Sequence, residues 1–83
     1  MAEPIRSRRA VERAILEHEM TLVDGAISLL ATGGADRVTL TGLRFAERIL
    51  PAAQRLARTQ RVVVRPLWRP AGGGCDIALE PNV

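Results

Sequence analysis

Cys75 and His18 are the side chains best suited to nucleophilic or metal chemistry, and the sequence holds one of each. A catalytic thiol needs a histidine or a helix N-terminus nearby to lower its pKa. Cys75 follows Gly72–Gly74 and opens the strand-like segment Cys-Asp-Ile-Ala-Leu-Glu, whereas His18 falls on the polar side of a long helical segment. The expected roles are a small residue at a strand start and a solvated helix residue. One cysteine and one histidine cannot build a structural zinc site within one chain. A lone cysteine also forms no intrachain disulfide, so the redox compartment is unmarked and the cytoplasm is the default expectation. Asp24, Asp36 and Asp76 are scattered, with no pair at the spacing of a carboxylate dyad. All 12 basic residues are arginine, so no lysine serves as Schiff base, general base or phosphate-loop ligand. That usage suggests a GC-rich bacterial or archaeal genome. Gly72–Gly74 lacks the G-x-x-x-x-G-K-[ST] pattern and joins two strands, so it reads as a hairpin turn. The expectation is a protein that is not an enzyme and uses neither metal nor cofactor.

Arginine is the remaining chemical resource. Residues 51–75 contain Arg55, Arg58, Arg61, Arg65 and Arg69 without one acid, and residues 1–50 balance seven arginines with seven acids. The net charge of +3 therefore arises entirely in the last 33 residues. A positive field there would attract phosphate, which makes these five arginines a candidate nucleic-acid or anion surface. In a strand over 61–69, Arg61, Arg65 and Arg69 share one face and Val62, Val64, Pro66 and Trp68 the other. Matching faces across the hairpin sets Trp68 opposite Ile77, Arg69 opposite Asp76 and Arg65 opposite Glu80. The acids then account for two of the arginines as cross-strand partners that hold the register.

The elements that position these residues follow from periodicity. The 83-residue chain, 47% hydrophobic, supports one small domain over 7–83, behind a flexible tail at 1–6. Ser7 is a plausible N-cap for a helix running to about Thr32, closed by Gly33 and Gly34. Arg-Val-Thr-Leu-Thr-Gly-Leu (37–43) alternates as a half-buried strand. Residues 44–59 have helical spacing, with Phe45, Ile49, Ala52, Ala53 and Leu56 on one stripe and Pro51 predicting a kink or a break near Leu50. Residues 61–69 and 75–80 are strands, and Pro66 suits an edge. The order predicts an α+β, two-layer fold: helix-strand-helix-strand-strand, with a small mixed three-stranded sheet covered on one face by two helices. The first two strands, joined through a helix, are expected to lie parallel. No apolar run approaches the roughly 20 residues of a membrane span, and the charged N-terminus has no apolar core to make it a signal peptide.

The first helix carries more apolar surface than one face needs. Leu16, Met20, Val23, Ile27 and Leu30 form one stripe, and Val11, Ile15, Leu22, Ala26 and Leu29 a second beside it. The first stripe is the expected contact with a copy of the chain or another protein. The sequence thus points to a non-catalytic interaction protein or accessory subunit, self-associating or docking through its N-terminal helix. The alternative is an arginine-rich nucleic-acid-binding or transcription-regulatory module. No small-molecule substrate is evident.

Residues 22–43, Leu-Val-Asp-Gly-Ala-Ile-Ser-Leu-Leu-Ala-Thr-Gly-Gly-Ala-Asp-Arg-Val-Thr-Leu-Thr-Gly-Leu, resemble the opening of tetracycline-repressor-family regulators over about a quarter of the chain. The resemblance implies that 37–43 starts a helix and that a recognition helix follows. The alternation of Val38 and Leu40 with Thr39 and Thr41 implies a strand instead, and the strand-like run after Pro51 leaves no place for the family's helical ligand-binding domain.

Overall fold

The structure, a computed structural model, describes residues 7–82. The tail expected at 1–6 lies outside the described residues. The elements are α1 (Arg8–Ala31), β1 (Val38–Leu40), α2 (Ala46–Thr59), β2 (Val62–Trp68) and β3 (Cys75–Pro81). Two helices pack on one antiparallel sheet, the α+β arrangement expected from the sequence.

Both ends of α1 are set locally. Ser7 is extended, and its hydroxyl accepts the Ala10 N–H at 3.2 Å. At the other end the Gly33 N–H donates to Leu30 and the Gly34 N–H to Leu29, the paired bonds of a Schellman closure. Gly33 supplies the left-handed residue with φ 78°. Residues 38–40 form a strand, so the helix implied by the repressor resemblance is not formed.

The sheet differs from expectation in one respect: it is antiparallel throughout, not mixed. Its order is β1-β3-β2, so β3 separates the two strands expected to lie side by side. β1 and β2 still run in the same direction, as a helix-linked pair does, but each pairs only with β3. The reason is burial. Cys75, Ile77 and Leu79 on β3 are all inside, which suits a central strand, whereas three-residue β1 suits an edge. Pro66, with no N–H to donate, sits on edge strand β2 as expected.

The hairpin register is displaced by two residues, with Trp68 opposite Cys75, Pro66 opposite Ile77 and Val64 opposite Leu79. A two-residue shift preserves both faces. The ladder closes through the Arg69 N–H, which donates to the Gly74 carbonyl at 3.0 Å. Gly72 and Gly74, at φ 74° and 85°, complete the turn. The expected ion pairs survive diagonally: Arg69–Asp76 at 2.7 Å and Arg65–Glu80 at 3.1 Å.

Trp68 also departs from the inward position expected of it. It points to the helical side, but it is 60% exposed. Along the inward row of β2, burial fades from Val62 and Val64 through half-buried Pro66 to Trp68, because cover runs out toward the hairpin tip.

α2 runs through Pro51 without the break expected near Leu50. Pro51 is exposed, and the carbonyl its missing N–H leaves unpaired is that of Glu47, also exposed, so water can satisfy it. The start of α2 has no side-chain cap of its own, since its N-cap is Phe45. Glu19 of α1 fills that role. Its carboxylate, almost completely buried, accepts the backbone N–H groups of Arg44 and Phe45, the latter at 2.8 Å. An acidic group at a helix N-terminus also complements the helix dipole. Glu19 therefore fastens the two helices over the sheet.

Candidate interaction surfaces

Cys75 begins β3 and is buried. Desolvation raises its pKa, and the negative charges of Glu47 and Asp76 push the same way, against Arg69. A thiol held protonated is a poor nucleophile. His18 is exposed on α1. Among the described residues no group of three His, Cys, Asp or Glu side chains is placed to hold a metal ion.

The Cys75 shift has a measurable consequence. The folded state keeps the proton to higher pH than the unfolded state, so stability falls as pH rises past the ordinary thiol range. The chain has no tyrosine and no lysine, and arginine stays charged, so Cys75 is the one side chain titrating there. Denaturant midpoints of the wild type should therefore fall on the alkaline side, and those of Cys75→Ala should stay level. Equal slopes for both proteins would refute the assignment.

The apolar stripe expected to make contacts lies mostly inside. Val23, Ile27 and Leu30 are core residues, and Leu16 and Met20 are half-buried against that core. The sheet and α2 take this stripe as their own cover. The second stripe faces out except at Ala26, which is core: Val11, Leu22 and Leu29 are 43%, 41% and 46% exposed. With half-buried Ile15, His18 and Gly25 they form the row 11-15-18-22-25-29, whose alternating steps of four and three are those of a helix–helix seam. His18 thus belongs to this row rather than to a purely polar side. Leu29 leans over Gly34, where an added Cβ would meet Leu29 Cδ1 at 2.5 Å. At the other end, Val11 and Ile15 line a cleft of about 320 Å³ with Phe45.

The five arginines do not form one row. Arg55 and Arg58 lie on the exposed side of α2, and Arg65 and Arg69 on the opposite, outer face of the sheet. Arg61 precedes β2 instead of belonging to it. It closes α2 in the left-handed region, at φ 57°, so it does not continue the face of Arg65. Arg65 and Arg69 are paired with Glu80 and Asp76, and Arg37 also approaches Glu80 at 3.8 Å. Among the described residues Arg55, Arg58 and Arg61 make no ion pair.

The excess apolar surface on α1 and the two cross-strand ion pairs are legible in the residue pattern. That pattern did not reveal the cap formed by Glu19. Two signs were present: an acid interrupting an apolar face, and a second helix starting without Ser, Thr, Asp or Asn. No helix among the described residues is long and apolar enough to cross a membrane. The chain matches no protein-family profile, no curated protein and no solved structure.

Proposed function

We propose that this protein is a non-catalytic, self-associating module, an accessory subunit whose α1 pairs antiparallel with α1 of a second copy. The carrying observation is the exposed row of Val11, Ile15, Leu22 and Leu29 at seam spacing. Antiparallel alignment about the middle of the helix sets Val11 against Leu29, Ile15 against the small Gly25, and His18 against Leu22. Leu29 of one copy then reaches the cleft beside Val11 and Phe45 of the other.

Charge supports the antiparallel sense. The first turn of α1 has no acid but holds Arg8 and Arg9, and its last turn has no basic residue, the reverse of what a helix dipole favours. An antiparallel copy brings those arginines toward the negative end of the partner's helix dipole.

Burying the exposed halves of three large side chains per copy is worth roughly 1 kcal/mol each, about 6 kcal/mol for the pair. Lost translational and rotational freedom offsets much of this. The association is therefore weak and concentration-dependent. Light scattering coupled to size exclusion, over a concentration series, should show mass rising toward twice the monomer, and Leu22→Glu should hold it at the monomer with an unchanged circular dichroism spectrum. A wild type that stays monomeric throughout, or a Leu22→Glu protein that still associates, would remove the proposal. Ile27→Glu is unsuitable for this test, because Ile27 is core.

A further inference from the structure

The free edge of β2 is open over Val62 and Val64, and its hydrogen-bonding groups can be assigned. The Arg61 carbonyl accepts the Asn82 N–H at 2.9 Å, and the Arg69 N–H donates to Gly74 at 3.0 Å. Antiparallel residues alternate in direction, so the odd-numbered residues of β2 turn toward β3. The even-numbered Val62 and Val64 turn their N–H and C=O groups away, to a side where β2 has no neighbouring strand among the described residues. Pro66, next in that series, has no N–H, so the open ladder stops before it.

This edge forms one wall of a groove of about 350 Å³, with Gln54 and Arg58 of α2, Arg61 and Asn82 around it. Arg58 and Arg61 have no acidic partner among the described residues. Arg61 also occupies a left-handed position that glycine fills at less cost, so its side chain is kept there against a backbone penalty.

We propose that this groove takes an extended, acidic segment of a partner protein as an additional antiparallel strand on β2. Strand addition supplies main-chain hydrogen bonds, and the flanking side chains choose the sequence. Antiparallel addition brings the C-terminal end of the incoming segment beside Arg58 and Arg61, so its carboxylates belong at that end. A second copy of β2 is the wrong occupant. Two-fold pairing about Val63 brings the Arg58 and Arg61 end of one copy alongside the Arg65 end of the other and supplies no acid to Arg58 or Arg61. The groove is separate from the α1 row, so it stands or falls independently of self-association.

The test is a titration of ¹⁵N-labelled protein with the synthetic peptide acetyl-Thr-Val-Glu-Val-Glu bearing a free C-terminal carboxylate. The Val62 and Val64 amides should shift most and become protected from exchange. Arg58→Glu with Arg61→Glu should weaken binding about tenfold or more. Backbone N-methylation of the peptide should abolish binding, and replacement of its glutamates by lysine should do the same. Absence of binding at millimolar peptide would mean that Arg61, Arg65 and Pro66 merely guard an edge against aggregation, and would overturn the proposal. Equal binding of the N-methylated peptide would also overturn it, as would tighter binding of oligo-dT with shifts centred on the same arginines.

Discussion

Replacing Glu19 with alanine should cost the folded protein about 3 kcal/mol, since it strips the carboxylate from two part-buried backbone donors at once. The Arg44 and Phe45 N–H groups would lose their acceptor, and the start of α2, whose own N-cap makes no side-chain hydrogen bond, would lose the group that fastens it. In a domain of this size that shift lowers the melting temperature by about 10–20 °C. Glu19→Gln keeps one acceptor but presents an NH₂ group to the second donor, so it should cost less than alanine and more than nothing. Amide exchange adds a readout that separates a cap from mere packing. Protection should fall first at the start of α2, before it falls in β3. An alanine variant within about 0.5 kcal/mol of wild type, the scatter of ordinary surface substitutions, would contradict the assigned role.

Ile77→Ala should be comparably damaging, at about 3–4 kcal/mol. Ile77 is completely buried, lies on the central strand, and is flanked by Leu40 on one side and Pro66 on the other. Its removal leaves a void bordered by both helices and both edge strands, with little freedom to collapse. Leu67→Ala, on the same hairpin but on the outer face, should change stability by less than about 0.5 kcal/mol. Denaturant melts of the two variants measure the contrast. Similar losses for both would mean that the sheet does not have the faces described.

Much of this fold is legible in local chemistry. Ser7 and the Gly33–Gly34 pair delimit α1, and two-residue alternation marks each strand and its inward face. What escapes local reading depends on distance. The position of β3 between β1 and β2 follows from which strand can be buried on both flanks, and no short stretch of sequence states that. The two-residue register shift keeps every residue on its expected face, so the alternation that marks the strands does not distinguish one register from the other. Trp68 has the periodicity of a core residue, but periodicity gives direction and not cover, and the helical layer ends short of it. The two stripes of α1 are equally apolar in sequence. Only the placement of the sheet and α2 decides that Val23 and Ile27 turn in while Leu22 and Leu29 turn out. The arginine cluster shows the same limit. Arg55, Arg58, Arg61, Arg65 and Arg69 are close in sequence, yet a helix, a left-handed closing residue and a strand distribute them over opposite surfaces.

Antiparallel pairing of α1 across two copies is the central claim, and a mixed cross-linking measurement tests it most directly. In a Cys75→Ala background, one population carries Val11→Cys and another Leu29→Cys. Mixed and oxidised, the two should give a Val11–Leu29 disulfide between chains, and neither population alone should cross-link efficiently, because its own cysteines lie at opposite ends of the helix pair. Efficient Val11–Val11 cross-linking, or no cross-link at concentrations where the mass has doubled, would contradict it.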